Sequence, residues 1–535
     1  MTSIHHTRPV LVSLAAFIAL AVVHTWPLAA SPAHWSRIDG DGGLNTWAVA
    51  WVAHALLQHP DQLFDANIFY PHRHTLAFSE AMIPQAIFAV PVIAFGGSAV
   101  LAYSVSVLAG FVLTGWAFCL LTARWTGSWT AGYLAGSLAA FNAFTLVNLT
   151  HLQFLHTEFL ALMLFALDRL IALPRVRDIA WLALGFALQA MASIYLMVFS
   201  VFALVCAVLA RVPEWWRRAG PLAARLAAAA ATAVVLLWPF IAQYREVQRT
   251  ERFERSAADA EAATWRNYLS TGATIHYHRW SRELGGGSST SVFPGVVALA
   301  LVGAAVADAS TRKDPRFRMC GAAAVGCMAI SFMPLLPFYP ALHAAIPLLQ
   351  MIRAVHRIAQ LTLLMVAVLA AFGLVALARR WGRAKPWPAA AVLIIAAVNA
   401  EALRAPIGYV WFDGVPPVYD VLAAERTAVV AELPFPMPSQ WFLNSPYMVN
   451  STRHWRPLLN GYSGFRPASY EKAYAATRGF PSNESLLALS ELGVTHVVIH
   501  RREANVPAGD DPYGNVNSIR LVGRDDDILI YRLGW

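Results

Sequence analysis

What most constrains this chain is a recurrence of apolar runs, most of about 17–25 residues and most closed by a short polar or basic stretch. Once such a run leaves water, only a helix pairs all of its backbone N–H and C=O groups, so each is expected to cross a bilayer as a helix. The runs fall at residues 10–30, 99–122, 130–147, 155–173, 179–193, 194–210, 222–242, 292–308, 319–335, 358–378 and 387–403. Charged residues make up 13% of the 535-residue chain, against about 25% in a soluble domain. The net charge of +9 would suggest nucleic acid in a soluble protein. Here the Lys and Arg residues sit mainly in short loops between apolar runs, which is an orientation signal, so no nucleic-acid partner is expected. Cys119, Cys206, Cys320 and Cys327 all lie inside apolar runs without a C-x-x-C spacing and read as small buried hydrophobes.

The expected fold class is an all-α polytopic membrane protein of about eleven transmembrane helices, with a small C-terminal extramembrane α+β domain. Residues 1–404 form the membrane part and 405–535 the α+β domain, where VVAELPF, THVVIH and ILIYRL read as strands and SNESLLALSEL as a capped helix. The stretch 81–95 is apolar and almost long enough to cross. If it does not cross, the basic loops around Arg124, Arg175, Arg211–Arg225, Arg312–Arg318 and Arg379–Lys385 all share the cytoplasmic side with the N-terminus. Pro84 and Pro91 also disfavour a clean span, so 81–95 is read as interfacial or re-entrant. The C-terminal domain is then extracytoplasmic, as are the first loop, 31–95, and a second loop, 243–291, whose GGGSST reads as a mobile loop, either a lid or an ordinary surface loop.

The first loop carries Asp39 and Asp41 among Gly40, Gly42 and Gly43, where the backbone can turn sharply. Leu44, Trp47, Ala48, Trp51 and Ala55 follow at helical spacing, as in an amphipathic helix lying in the headgroup layer. Two acids there can ligate a divalent cation, Mg or Mn, through oxygen, or one can act as a general base toward a hydroxyl. Equally, Asp41 can cap the helix while Asp39 is a solvated loop acid. Arg353, His356 and Arg357 stand at i, i+3, i+4 before a late helix and suit a phosphate, or simple snorkelling. His72 and His74 are spaced poorly for zinc. His151, His156 and Glu158 flank a helix end, where an ionisable group is a functional candidate or merely a solvated terminus. There is no P-loop, GxSxG, HExxH or Rossmann fingerprint.

Taken in order, DGDGGLNTWAVAW, LFDANIFYPHRHTLAFSE, LTARWTGSWTAGYLAGSLAAFN, NLTHLQFLHTEFLAL, IRAVHRIAQL and HWRPLLNGYSGFRP resemble bacterial integral-membrane proteins of the GT-C glycosyltransferase superfamily. The likeness is to an uncharacterised branch, distantly similar to polyprenyl-phosphate-sugar-dependent protein mannosyl- and lipid A aminoarabinose transferases. It implies a bacterial inner-membrane hexosyltransferase-type enzyme, a polyprenyl-phosphate-linked sugar donor, a cell-envelope acceptor and a catalytic acid in the first external loop. By position that acid is Asp41, with Asp39 second. Glu80, His74, His156, Arg353, His356 and Arg357 are then the substrate-binding candidates, Arg353 and Arg357 toward the donor's phosphate. Two other classes compete: a lipid or polysaccharide transporter or flippase, which calls for charged or broken mid-membrane helices and an inverted repeat, and a non-catalytic envelope-assembly protein.

Overall fold

A computed structural model of the protein describes residues 4–38, 40–172, 175–381, 386–506 and 509–534. The chain forms two compact units, each assembled from separated stretches. One takes Met1–Ala30, Val107–Phe240 and Glu254–Gly408; the other takes Ser31–Ser106, Ile241–Phe253 and Tyr409–Trp535. The sequence suggests a separate domain beginning at 405. In the structure the C-terminal stretch instead shares its unit with the first loop, because backbone hydrogen bonds and buried rings join the two.

The first unit is helical, and the apolar runs named above are largely helical among the described residues. Among the described residues, five helical segments are long and apolar enough to cross a membrane: Ala99–Thr126, Trp129–Val147, Val212–Glu251, Pro315–Leu335 and Val355–Trp381. Four further apolar helices are shorter. Glu158–Ala172 and Val176–Ala192 are also short, and they carry charged residues at their ends: Asp168 and Arg169 on one, Arg177 and Asp178 on the other. The helix Ala359–Trp381 is buried over most of its length and packs against Val296–Ala307, Pro315–Ser331 and Trp129–Ala140. Its close approach to Leu301 depends on Gly373, where a Cβ would overlap the Leu301 backbone. Small residues at helix crossings are the usual means of bringing membrane helices together.

Helix ends follow local chemistry. Ser128 and Ser193 accept from backbone N–H groups at the starts of their helices, and Asp314 does so ahead of Pro315. Ser193 is extended and separates Val176–Ala192 from Ile194–Leu209, so the 179–210 region is two packed helices rather than one long one. Residues 254–291 are less free than their glycines suggest. Ser281 Oγ bonds both the amide and the carbonyl of Thr271, Asn148 Nδ2 donates to the Ser289 carbonyl, and His276 Nε2 lies 2.7 Å from Glu401 Oε1.

In the second unit the helix Asp41–Gln58 is the centre. It is buried on all sides from Gly42 to Ala53, so it is not the headgroup-layer helix that its aromatic spacing suggests. The physical reason lies in its own sequence: between Leu44 and Leu57 no residue is charged in its ordinary state, leaving no polar face to keep wet. Trp47 Nε1 donates to Asn67 Oδ1 at 3.0 Å, and Trp51 Nε1 to the Leu63 carbonyl at 2.9 Å. Residues 81–95 form two short helices, Ile83–Ala86 and Ala89–Ala94, followed by Phe95, which is 92% exposed. Neither is long enough to cross a bilayer, which needs about 20 residues.

Strands β1 (Trp35–Ser36) and β2 (Val410–Trp411) pair antiparallel. A mixed sheet follows, of β3 (Val430–Leu433), β4 (His496–His500), β5 (Ile519–Arg524) and β6 (Ile528–Leu533) in the order β3-β4-β6-β5, with β3 and β4 parallel. The three expected strands are present, and Ser482 caps the expected helix, Asn483–Glu491. β5 was not legible, because Arg520, Gly523 and Arg524 break its apolar pattern. Beyond β3, Leu458 lies parallel to Val430, and the first loop continues the pairing. There the amides of Phe69 and Tyr70 donate to the carbonyls of Asn460 and Leu458, and that of Leu458 to Asn67.

Gly43 lets the central helix start against its own lead-in, since a Cβ would overlap the Ile38 carbonyl and lie 2.8 Å from Ser445 Cβ. Gly43→Ala is expected to cost about 1–3 kcal/mol and to lower the thermal midpoint in detergent. Gly303→Ala, which meets open space inside a helix, should leave the midpoint unchanged or raise it slightly; equal midpoints for both variants would refute the account.

Candidate functional site

Asp41 is the first residue of the central helix, and the N-cap position belongs to Gly40, whose φ of 50° favours glycine. The aspartate therefore does not cap the helix. Its Oδ1 accepts a hydrogen bond from the Tyr462 hydroxyl at 2.7 Å, a partner 421 residues away. The helix start favours a negative charge at this point. Asp41, Arg37 and Tyr409 all lie within electrostatic reach of the buried Tyr103. Asp39 falls outside the described residues. Among the described residues no three His, Cys, Asp or Glu side chains gather as metal ligands.

The other first-loop candidates have separate partners. His74 has a left-handed backbone, φ 55°, and its amide donates to Asp65 Oδ1 at 2.9 Å. Arg73 grips Asp65 Oδ2 through Nε and Nη2, at 3.2 and 2.7 Å. Burial alone would raise the Asp65 carboxyl, but Arg73 and the His74 amide outweigh it and hold the group below its ordinary value. His72 turns elsewhere, with Nδ1 2.8 Å from Glu251 Oε1 and Nε2 2.6 Å from Ser469 Oγ. The two histidines thus serve different neighbours and make no zinc pair. Glu80 is buried and close enough to Tyr244 for its charge to act on that phenol; the Tyr244 hydroxyl donates to the Ser79 carbonyl at 2.7 Å.

His156, Arg353, His356 and Arg357 belong to the other unit. His156 is fully buried, with Nδ1 2.9 Å from Glu158 Oε1, and Thr114 Oγ1 donates to the Leu155 carbonyl beside it. The three residues before the late helix do not share a helical face, because Arg353 precedes the 3-10 turn Val355–Ile358. Arg353 Nε lies 3.3 Å from Glu261 Oε1, and His356 Nδ1 3.5 Å from Glu261 Oε2. Arg357 turns away from Glu261. Its guanidinium sits over the Phe154 and Tyr195 rings, at 5.1 and 5.8 Å, with Nη2 3.3 Å from His151 Nε2. Arg255 Nη1 and the Arg353 amide both approach the Tyr195 hydroxyl, at 3.5 and 3.1 Å. Tyr195 and Arg255 were not singled out from sequence: one lies in an apolar run and the other in a run of alternating charges.

A third cluster was also missed. Glu432 on β3 is fully buried, accepts from the Tyr419 hydroxyl with both oxygens at 3.0 Å, and lies 2.7 Å from His500 Nε2. The Tyr447 ring stacks on His500 at 4.7 Å, and its hydroxyl donates to Glu503 Oε2 at 3.0 Å. Burial disfavours charge on His500, but Glu432 outweighs it and raises the imidazole above its ordinary value. His454 nearby, stacked on Tyr419, has no such acid, and burial pushes it down to about 3. In the sequence, Glu432 sits in a strand pattern where an acid reads as outward-facing.

Compared with solved structures, the chain is similar over 99% of its length to arabinofuranosyltransferase AftD from mycobacteria, with a TM-score of 0.57 and 15% identity. It spans about two fifths of that protein, covering 40% of its chain. Over 93% of its length it is similar to the Archaeoglobus fulgidus oligosaccharyltransferase, with a TM-score of 0.51, 12% identity and 70% of that chain covered. A weaker likeness, TM-score 0.48 at 12% identity, covers 99% of this chain and 98% of ArnT from Cupriavidus metallidurans. No family model matches the sequence, and no curated protein matches it. The structural similarity thus runs, across nearly the whole chain, to GT-C glycosyltransferases, and at these identities it is a likeness of fold.

The raised His500 sets a pH dependence. A histidine stabilised in its charged form contributes most below its ordinary value of 6.5, and the contribution fades as pH rises through the higher native value. The difference in thermal midpoint between wild type and His500→Gln should be widest near pH 6 and shrink toward alkaline pH; a difference that does not vary with pH would count against the pair.

Proposed function

We propose that the protein is an integral-membrane glycosyltransferase. It moves a sugar from a polyprenyl-phosphate-linked donor to a hydroxyl of a cell-envelope acceptor, on the extracytoplasmic face of the bacterial inner membrane. The observation that carries this reading is Asp41: the acid expected to be catalytic from its position stands at the start of a buried helix, its carboxylate engaged by a defined hydroxyl. The GT-C-like fold supports the same reading. In the proposed topology about eleven helices cross the bilayer, the N-terminus is cytoplasmic, and 81–95 stays at the outer surface.

The acceptor oxygen attacks the anomeric carbon, the bond from that carbon to the phosphate oxygen breaks, and polyprenyl phosphate leaves with the electron pair. Asp41 takes the hydroxyl proton or orients the nucleophile. A carboxylate at a helix N-terminus stays ionised but is a weakened base, which favours orientation as part of its work. A dianionic leaving group calls for cationic stabilisation. The candidates for it are Arg353 and Arg357, which the resemblance assigns to the donor's phosphate. The lipid tail stays in the bilayer because exposing each CH₂ to water costs about 0.8 kcal/mol. A divalent cation, Mg or Mn, would be held by Asp39 and Asp41 and would offset phosphate charge.

Deletion of the gene should change an envelope glycan, and wild type should restore it. Asp41→Asn, at equal membrane abundance, should restore less than about 1% of the product. Restoration to wild-type level by Asp41→Asn rejects the reading. Product that is unaffected by chelation with EDTA removes the cation from it. A reporter inserted after Leu533 should be active only as an extracytoplasmic fusion.

A further inference from the structure

The segment His454–Pro467 has a glycine pattern that a surface loop does not need. A Cβ on Gly461 would lie 2.6 Å from the Phe69 ring, and one on Gly464 would lie 2.9 Å from the Phe78 carbonyl. Both glycines let the segment lie directly along the first loop. On the other side Asn460 is locked to β3: its Oδ1 accepts from the Glu432 amide at 2.7 Å, and its Nδ2 donates to the Glu432 carbonyl at 3.0 Å and to Asn444 Oδ1 at 2.9 Å. Between these fixed points stands Tyr462. Its amide donates to Met448 Sδ at 3.2 Å, and its ring meets Trp441 edge-on at 5.0 Å. Backbone and ring are therefore set by the C-terminal stretch, and the hydroxyl reaches Asp41 Oδ1 at 2.7 Å.

We infer that Tyr462 is a positioning residue for Asp41, so that the C-terminal segment Asn460–Gly464 is a working part of the acid's site. The inference rests on the glycosyltransferase reading above and adds to it a residue from the far end of the chain. A phenol donating to a carboxylate at 2.7 Å is a charge-assisted bond. It helps to fix the plane of the carboxylate at the start of the helix. It also favours the ionised form, the only form able to accept a proton. A displacement of about 1 Å in a catalytic group is enough to lose about a hundredfold in rate.

Two measurements on the full-length protein test this, both with Tyr462→Phe, which keeps the ring against Trp441. The first needs no substrate. Purified protein is treated with a water-soluble carbodiimide and glycine ethyl ester, and labelling of Asp41 is read by mass spectrometry, with Asp65, held by Arg73, as internal reference. Loss of the hydroxyl should raise Asp41 labelling several-fold and leave Asp65 unchanged. The second is glycan output of the complemented deletion strain as a function of medium pH. Tyr462→Phe should lower output about tenfold or more and move its acid limb to higher pH, since a carboxylate that loses a donor protonates more readily.

Equal Asp41 labelling in the two proteins overturns the inference. So does a loss of output with an unmoved acid limb, which marks a merely structural tyrosine. If Asp41→Asn abolishes output while Tyr462→Phe matches wild type, the positioning role falls and the glycosyltransferase reading stands. If Asp41→Asn retains full output, that reading falls and the positioning role with it.

Discussion

Backbone pairing between the first loop and the C-terminal stretch is the constraint on which the second unit depends. Asn67, Phe69 and Tyr70 exchange hydrogen bonds with Leu458 and Asn460, and Leu458 and Leu459 in turn pair with Val430. An unpaired sheet edge leaves a row of donors and acceptors to be satisfied, and here the first loop satisfies them. Asn67 adds its side chain: it accepts from Trp47 and donates to Ser451 and to the Arg456 carbonyl. One residue thereby ties the central helix, the loop and the C-terminal segment together. The register that results puts Gly461 against Phe69 and leaves Tyr462 to meet Asp41.

The buried polar groups of this unit follow from the same arrangement. A fully buried glutamate is costly unless its oxygens are paired. Glu432 has Tyr419 on both oxygens, His500 on one, and Asn460 on its backbone. Its neighbours come from three places in the sequence, so the network forms only when the sheet and its flanking turns are all in place. The first unit shows the same accounting within an apolar bundle. Buried Asp168 lies between Arg211 and Arg316, at 2.5 and 3.0 Å, and Glu401 serves both His276 and the first amides of the helix Val296–Ala307.

Much of the local structure was legible. The apolar runs are largely helical, 81–95 is broken near its two prolines, and three of the four strands of the C-terminal sheet follow the β-branched runs. Misreadings arose where local pattern and tertiary environment diverge. The spacing of Leu44, Trp47 and Trp51 fits a surface helix, yet the opposite face, with Asn45, Thr46, Val49 and Val52, is also buried. Arg353, His356 and Arg357 were placed on one helical face, but the chain enters its helix through a 3-10 turn, so Arg353 and His356 meet Glu261 while Arg357 lies over Phe154 and Tyr195.

The sequence by itself determined which stretches are apolar enough to form helices that could cross a bilayer, and that an acid flanked by glycines stands in the first loop. Hydropathy, capping and backbone freedom act over a few residues, so they can be read from neighbours in the chain. Only the tertiary structure decided that the first loop and the C-terminal stretch are one unit, and that Tyr462, 421 positions away, is the hydroxyl on Asp41. Both are choices of partner, fixed by which buried donor reaches which buried acceptor once the sheet's register is set, and no residue's own preferences carry that information.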